Sequence, residues 1–185
     1  GSFDEILREK LFMPFGMHQA CAGFEAFAAN DNKALPHGKY RGNYKVLRLN
    51  DRYYDNTLPA AGINASISDM VQFLLGLTAA DTSRPGNYVP NEVFEPQVES
   101  PLRWNYLRRW GDVDSKHYGL GWRIIGYKNR EVAWHGGYVQ GYRAEIALCR
   151  EEGFGIAFLS NSPNGLASAV VPLFLDLIFD EENDD

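Results

Sequence analysis

His135-Gly136-Gly137-Tyr138-Val139-Gln140-Gly141-Tyr142 is the most informative stretch of this chain, because strand-like sequence lies on both sides of it. Glu131–Trp134 leads into it with apolar character, and Tyr142–Cys149 leads out with alternation. That alternation places three apolar residues on one face, with Arg143 and Glu145 on the other. A histidine at a strand end beside glycines, where a ligand can approach the backbone closely, is typical of an active-site edge. A detail of a hairpin turn is the alternative interpretation.

Length and composition are typical of one globular unit. The 185 residues are 45% apolar, enough to furnish a core, and their net charge is −6. An acidic balance of this kind offers no basic surface to nucleic acid or to an anionic membrane. No apolar run approaches the roughly 20 residues that a membrane-spanning helix needs. We therefore expect no nucleic-acid partner and no membrane span in this chain.

The histidines and cysteines show no metal-ligand spacing. The histidines are scattered and lack a His-Glu-x-x-His pattern, so we expect no metal site, and nothing in the sequence implies a cofactor. The two cysteines are Cys21 and Cys149. We interpret both as free thiols, with a disulfide between them as the alternative.

The first half of the chain is predicted to consist of helices and long loops. Phe3–Phe12 carries an apolar stripe at helical spacing, and Met13-Pro14 is expected to end that helix. Gly16–Leu58 is predicted to be a long loop region, which in compact domains usually covers a site. Ser66 with Asp69 three residues later predicts the capped start of another helix, so we interpret Asp69 as a capping residue and not as a catalytic acid.

From Tyr118 onward the pattern becomes that of β-strands. The predicted strands are Tyr118–Tyr127, Glu131–His135, Tyr142–Cys149 and Gly155–Ser160. Short turns between them indicate antiparallel neighbours. A final helix is predicted over Gly165–Phe179, where Pro172 either kinks the helix or marks the first turn of a second helical piece. The fold class is therefore predicted to be α+β, an antiparallel sheet flanked by helices.

The predicted domain organisation is a single domain. Residues 1–2, Gly-Ser, are typical of a scar left by cloning. Residues 3–180 form the domain, with helices and long loops over residues 3–115 and with the antiparallel strands and final helix over residues 116–180. Residues 181–185 form an acidic tail, which we expect to be solvated and frayed.

Five short motifs follow one another along the chain. They are Leu11-Phe12-Met13-Pro14-Phe15-Gly16-Met17, Pro59-Ala60-Ala61-Gly62-Ile63-Asn64-Ala65-Ser66-Ile67-Ser68-Asp69-Met70, Tyr118-Gly119-Leu120-Gly121-Trp122, the His135 segment, and Gly153-Phe154-Gly155-Ile156-Ala157-Phe158-Leu159-Ser160-Asn161. In this order and spacing they resemble the carboxy-terminal half of serine β-lactamase-related hydrolases: class C β-lactamases, D,D-peptidases (penicillin-binding proteins) and related esterases. The resemblance extends from about Phe3 to Asn161. It implies the β-lactamase/transpeptidase-like fold without its amino-terminal portion.

Two motifs of that family have no counterpart at the expected place. The family's nucleophile lies in Ser-x-x-Lys and a second motif is Tyr-x-Asn, both of which precede the first motif quoted above. No serine of this chain has a lysine three positions later. Tyr54-Asp55-Asn56 spells Tyr-x-Asn but follows Met17, so a polar turn is the preferred interpretation. The resemblance therefore implies the rear portion of an enzyme, without its nucleophile.

The resemblance also implies roles for the His135 segment. In the family a serine attacks an amide or ester carbonyl, and water then releases the acyl-enzyme. His135 matches the first residue of the motif that many relatives write Lys-Thr-Gly, and Gly137 matches its glycine. The backbone N–H of Tyr138 matches the second oxyanion-hole donor. These three are the expected catalytic residues, and Gly136 and Gln140 are expected to bind substrate.

The histidine at this position bears on substrate preference. The reference pKa of histidine is about 6.5, so the ring is mostly neutral near pH 7 and holds a substrate carboxylate less strongly than lysine does. This difference favours peptidase or esterase chemistry over a strict β-lactamase.

Two functions remain open at this point. The first is a portion of a serine hydrolase for a small-molecule amide, β-lactam or ester, inactive alone because the nucleophile is missing. The second is a non-catalytic binding or regulatory module that keeps the fold. Self-association is expected, because the absent portion would leave a strand edge and an apolar face uncovered. The family implies a periplasmic or secreted location.

Overall fold

An antiparallel sheet of six strands, with helices on both faces, forms the centre of the molecule, which confirms the α+β fold class. The computed structural model describes residues 1–49, 56–78, 89–100, 107–111 and 113–181. Tyr54 and Asp55 of the Tyr-x-Asn sequence, and residues 182–185 of the predicted tail, lie outside the described residues.

A helical segment opens the chain and runs further than predicted. Helix α1 (Phe3–Leu7), a π-helical turn (Arg8–Phe12) and α2 (Met13–Phe15) follow one another without a break. The expectation that Met13-Pro14 ends the helix was wrong. Pro14 lies in the first turn of α2, after the π turn, where a missing backbone N–H is tolerated. The segment ends at Gly16, which adopts the left-handed conformation with φ 71°.

The region predicted to be a long loop contains short regular elements. They are β1 (Cys21–Ala22), α3 (Phe24–Ala29), β2 (His37–Tyr40) and β3 (Asn43–Val46). Strands β2 and β3 form a hairpin, and β1 pairs with β4 (Ile63–Asn64), which follows α4 (Leu58–Ala61). All four residues of β3 are exposed, so the strand has no buried face, although Tyr44 and Val46 alternate with Asn43 and Lys45.

Helix α5 (Ile67–Thr78) begins where the sequence predicted. The backbone N–H of Ser66 donates to Asp69 Oδ2 over 2.9 Å, and the N–H of Asp69 donates to Ser66 Oγ over 3.1 Å. This reciprocal pair is a capping box and confirms Asp69 as a capping residue. Leu74 and Leu77 are buried against the sheet side of the helix.

The six strands of the central sheet are each antiparallel to their neighbours. In chain order they are β5 (Val98–Glu99), β6 (Val113–Tyr118), β7 (Arg123–Tyr127), β8 (Arg130–Val139), β9 (Tyr142–Cys149) and β10 (Phe154–Ser160). Their spatial order is β10-β9-β8-β7-β6-β5. The β7–β8 and β8–β9 turns each have two central residues with positive φ, as type I′ hairpins require.

The strand predicted over Tyr118–Tyr127 is in fact two strands. A turn over residues 119–122 separates β6 from β7, closed by a hydrogen bond of 2.7 Å from Gly119 N–H to the Trp122 carbonyl. Gly121 adopts φ 94°, which glycine permits without strain. Strand pairing also begins earlier in the chain than predicted, at β5. The sequence did not indicate β5 because this short exposed strand carries no apolar pattern.

The two faces of the sheet carry separate cores. On one face, called the α6 face, the sheet packs against α6 (Val170–Glu181); its buried residues are Leu107, Trp110, Ile125, Tyr127, Val132, Trp134, Ala147, Cys149, Val171, Leu175 and Phe179. On the other, called the α5 face, it packs against α2 and α5; its buried residues are Phe12, Phe15, Met17, Leu74, Leu77, Phe94, Trp122, Ile124, Ala133 and Leu148.

The final helix is shorter at its start than predicted. Helix α6 begins at Val170, so Pro172 stands in its first turn, which confirms one of the two predicted placements of that proline. The preceding residues form turns, in which Asn164 Oδ1 accepts the backbone N–H groups of Leu166 and Ala167.

Cys21 and Cys149 are both free thiols, which confirms the interpretation drawn from the sequence. Within the described parts of the chain, the helices are all too short or too polar to cross a bilayer.

Candidate active site

A cavity of about 740 Å³ lies on the α5 face, beside the turn between β8 and β9. Its volume is within the range of small-molecule sites. The ends of β8, β9 and β10 form one wall, and α3 and the start of α5 form the others. Lining residues from these elements include Gly137, Gln140, Asn161, Phe24, Phe27 and Met70.

The lining of this cavity is apolar, with several carboxamides and, among the described lining residues, the cation of Lys33. The carboxamide groups include those of Asn30, Asn64 and Asn161. Arg143 also lines the cavity, but its guanidinium lies on the α6 face, over the ring of Tyr138. Among the described residues that line the cavity there is no aspartate or glutamate. The cavity therefore suits a ligand that is apolar and either neutral or anionic, and that presents carbonyl groups to the amides.

The β8 residues singled out by sequence alternate between the two faces of the sheet. His135 and Gly137 lie on the α5 face, whereas Gly136 and Tyr138 lie on the α6 face. A Cβ added at Gly137 would meet no heavy atom within 4 Å, whereas one at Gly136 would collide with the Glu145 carboxylate. Of the five predicted site residues, Gly137 and Gln140 line the cavity.

Tyr138 brings its backbone, and not its side chain, toward this site. The ring is 54% exposed on the α6 face, under the guanidinium of Arg143 at 5.0 Å. The hairpin is closed by Val139 and Tyr142, and hydrogen-bonded pairs alternate along it, so the N–H of Tyr138 points away from β9. Among the described strands, none pairs with β8 beyond Trp134 on that side. This N–H therefore lies at an open strand edge.

His135 is half-buried and contacts a residue that the sequence did not single out as part of the site. Its Nε2 lies 3.3 Å from the hydroxyl of Tyr118, and the two rings meet edge to face with centroids 6.3 Å apart. Burial first, and the positive charge of Arg123 second, hold the pKa of His135 below its ordinary value. The imidazole is therefore uncharged at neutral pH.

Glu145 is buried on the α6 face, although the alternation of β9 does not indicate that its polar face is buried. It is 6% exposed, and its Oε2 accepts a hydrogen bond of 2.9 Å from the Trp134 indole. Burial raises the pKa of Glu145 to about 6, although the Trp134 hydrogen bond and the charges of Arg143 and Arg123 oppose the increase. This carboxyl lies directly beneath Gly136 and supports the strand from the side opposite the cavity.

Asn161 attaches the β2–β3 hairpin to the rim of the cavity. Its backbone carbonyl accepts the N–H of His37 over 2.8 Å, and its carboxamide donates to the Leu35 carbonyl over 2.9 Å. Nearby, the hydroxyl of Tyr142 donates to the Ala34 carbonyl over 2.8 Å. The signal for Asn161 was visible in the last sequence motif, but its partners lie more than 120 residues away and no local pattern reveals them.

The part of the chain that the structure describes contains no group of three or more His, Cys, Asp or Glu side chains able to hold a metal ion.

These features define an α+β fold in which the open edge of β8 lies beside a cavity at the start of a capped helix. The family model described as Beta-lactamase matches residues 1–178, and the chain belongs to that family.

Three solved structures share this fold. The octameric penicillin-binding protein homologue from Pyrococcus abyssi has a TM-score of 0.75 at 18% identity, over 97% of this chain and 38% of that one. The penicillin-binding protein from Bacillus halodurans has a TM-score of 0.67 at 17% identity, over 94% and 49%. The β-lactamase from Sulfitobacter sp. EE-36 has a TM-score of 0.65 at 16% identity, over 97% and 54%.

A curated relative is an enzyme. The chain is 25% identical over 180 residues to the unguisins hydrolase ungD' of Aspergillus campestris (strain IBT 28561), covering 93% of this chain and 32% of the relative. The chain thus spans about a third of the length of this relative, and between 38% and 54% of the three structures.

Proposed function

We propose that this chain is the carboxy-terminal portion of a serine hydrolase that cleaves an amide, β-lactam or ester through an acyl-enzyme. The observation that carries the proposal is the open edge of β8, where the N–H of Tyr138 points away from β9 and the bare Cα of the neighbouring Gly137 lines a cavity of about 740 Å³. Membership of the beta-lactamase family and similarity to a hydrolase support it.

The nucleophile is proposed to come from a part of the protein outside these 185 residues. No serine here is followed by lysine three positions later, and the chain spans only part of the proteins it resembles. The nucleophilic oxygen attacks the substrate carbonyl carbon and the carbonyl oxygen becomes an oxyanion. The leaving group then departs with a proton, and water hydrolyses the acyl-enzyme in the same way.

The residues of this chain serve that reaction by holding the substrate. The N–H of Tyr138 donates to the oxyanion, and loss of such a donor costs about 100- to 1,000-fold in rate. The bare Cα of Gly137 leaves room for the substrate along the strand, while Gly136 and Gln140 contribute contacts from the backbone and from the cavity wall. His135 supplies a hydrogen bond to the substrate near the reacting carbonyl.

The proposal is tested by comparing this chain with the longer protein from which it would derive. A labelled penicillin or fluorophosphonate is expected to form a stoichiometric adduct with the longer protein, at a serine preceding residue 3, and none with the 185-residue chain. Intact-mass spectrometry reads the adduct. An adduct on any serine of this chain, or none on the longer protein, contradicts the proposal; the second outcome favours a non-catalytic module.

His135→Ala in the longer protein gives a second test. It is expected to lower kcat/KM for the cleaved substrate and to leave the unfolding midpoint unchanged, since His135 lies at the edge of the site. His18→Ala is the matched control, because His18 is an exposed histidine outside the main cavity. Equal kinetics for the two variants would remove His135 from the site.

We further propose that the isolated chain associates with itself. Strand β10 is an edge strand in the described sheet, and Ile67, Val71 and Leu75 leave 44–50% of their surface exposed along one side of α5. Light scattering coupled to size exclusion is expected to give a dimer or a larger species. A monomer mass across a wide concentration range, without binding of a hydrophobic dye, contradicts it.

A further inference from the structure

Tyr118 reaches His135 across the end of an intervening strand. Tyr118 is the last residue of β6, and β7, which lies between β6 and β8, begins at Arg123 opposite Trp134. His135 is therefore one residue beyond the start of β7, and nothing in the sheet separates it from the Tyr118 side chain. The Tyr118 hydroxyl lies 3.3 Å from His135 Nε2.

The turn after Tyr118 packs closely against neighbouring backbone. Gly119 is buried, and a Cβ there would lie 2.8 Å from the Val93 carbonyl oxygen and 2.9 Å from that of Glu95. The N–H of Leu120 donates to the same Val93 carbonyl over 3.2 Å. Backbone packed this closely against Gly119 holds the main chain next to Tyr118 in place.

The surroundings of His135 disfavour a positive charge on the ring. The ring is half-buried, and the charged group that acts on it is the cation of Arg123 on β7. The buried carboxyl of Glu145 lies on the opposite face of the sheet, against Trp134. A neutral imidazole has one N–H donor and one acceptor nitrogen, and a tyrosine hydroxyl can donate to that acceptor or accept from that donor.

We propose that Tyr118 is a positioning residue that holds His135 in the neutral tautomer with the hydrogen on Nδ1, so that the site offers its substrate an uncharged donor. In this tautomer Nε2 accepts the hydrogen bond from Tyr118, and Nδ1–H is the ring group left for a ligand; no described residue hydrogen-bonds Nδ1. The proposed tautomer is argued from the contact between Tyr118 and His135 in this chain, whereas its effect on substrate choice rests on the proposed hydrolase function.

An uncharged donor changes which ligand the site prefers. Hydrogen bonds that involve a charged partner on each side are stronger than those of a neutral donor, so a lysine at this position favours a substrate carboxylate. A neutral imidazole forms a weaker hydrogen bond to a carboxylate than lysine does, and it donates well to a carbonyl oxygen. The structure therefore assigns to this site a substrate whose group next to the reacting carbonyl is an uncharged amide or ester.

The tautomer is measured directly on this chain by long-range ¹H–¹⁵N correlation spectra of protein labelled at histidine nitrogens. The wild type is expected to show His135 Nε2 at an acceptor-type shift and Nδ1 at a protonated-type shift. Tyr118→Phe keeps the ring packing and removes the hydroxyl, and is expected to lose this pattern. The exposed His18 serves as the internal control. A wild type protonated on Nε2, or an unchanged pattern in Tyr118→Phe, overturns the proposal.

Substrate preference is measured in the longer protein with paired substrates that differ only in a carboxylate or its methyl ester beside the reacting carbonyl. The ester is expected to have the higher kcat/KM, and His135→Lys is expected to shift the ratio toward the carboxylate by about tenfold. A wild-type preference for the carboxylate overturns the assigned substrate class. Hydrolysis of neither substrate overturns the proposed function and with it the substrate class, while the tautomer result still decides the role of Tyr118.

Discussion

Gly136 and Gly137 are neighbours on β8 and face opposite environments. The carboxyl of Glu145 fills the space where a Gly136 side chain would lie, whereas the corresponding space at Gly137 is open. The same residue type is thus required for packing at one position and for access at the next. Two adjacent glycines in a strand can be needed for different reasons. Here Gly136 is needed on the α6 face and Gly137 on the α5 face.

The same contrast holds for the two faces as a whole. On the α6 face the core is closed, with Trp110 at 1% and Phe179 at 0% exposure. On the α5 face, apolar residues of α5 such as Ile67 and Val71 remain about half exposed beside the cavity. We infer that the closed face supplies most of the stability and that the open face is available to ligands and to other protein surfaces.

The largest effect is expected from truncating the closed face. Phe179→Ala removes a fully buried ring that lies against Tyr127 and Phe154, and is expected to lower the free energy of unfolding by about 3–5 kcal/mol. Leu177→Ala on the same helix is the control, because Leu177 is 66% exposed and its loss should change little. Urea unfolding followed by tryptophan fluorescence measures both. Equal losses for the two variants would show that the α6 face is not the stable core.

The two glycines provide the sharpest test of the comparison. Gly136→Ala forces a methyl group against the Glu145 carboxyl and is expected to destabilise the fold by about 1–3 kcal/mol, whereas Gly137→Ala should stay within about 0.5 kcal/mol of the wild type. Adding Glu145→Ala to Gly136→Ala should recover part of the loss if the clash is its cause. Thermal unfolding measures the stability of both variants. A larger loss of stability in Gly137→Ala than in Gly136→Ala contradicts the prediction.

Glu145 makes the closed face sensitive to pH. Its pKa in the folded protein is about 6, above the ordinary 4.5, so the folded state binds the proton more tightly than the unfolded state. This group therefore contributes stability that is fully present below pH 4.5 and is lost as the pH rises through 6, about 2 kcal/mol at most.

Glu145→Gln removes that pH dependence and retains an acceptor for the Trp134 indole. The measurement is the free energy of unfolding of both proteins between pH 4 and 7.5, where the difference between the two curves isolates Glu145. Carboxyls such as Glu131 are present in both proteins, so their titration cancels. Parallel curves would show that Glu145 titrates normally.

Local sequence signals predicted the elements that local physics determines. The β9 strand, the capping box of Ser66 and Asp69, and the short turns of the carboxy-terminal sheet all follow from side-chain alternation or from bonds within three residues. The prediction of one strand over Tyr118–Tyr127 was wrong because Gly119 and Gly121, two glycines within three residues, are a turn signal.

The parts of the site that sequence did not predict depend on contacts between distant residues. Alternation correctly put Arg143 and Glu145 on one face of β9, but it could not tell that this face is buried, because the partner that makes the burial tolerable is the indole of Trp134. In the same way Tyr118 was visible in a motif, whereas its contact with His135 depends on where β7 begins. Periodicity gives the face of a strand, and tertiary packing decides what that face meets.

The length of the two-residue turn of Gln140 and Gly141 sets the register between β8 and β9 at the site. Gly141, with φ 94°, is also packed against the backbone of His37, where a Cβ would lie 2.7 Å from the carbonyl oxygen. Because β8 is held in register by β7, the number of residues in this loop decides which residues of β9 share the cavity face with Gly137. One inserted or deleted residue, with β9 still paired to β8, would exchange the two faces of β9.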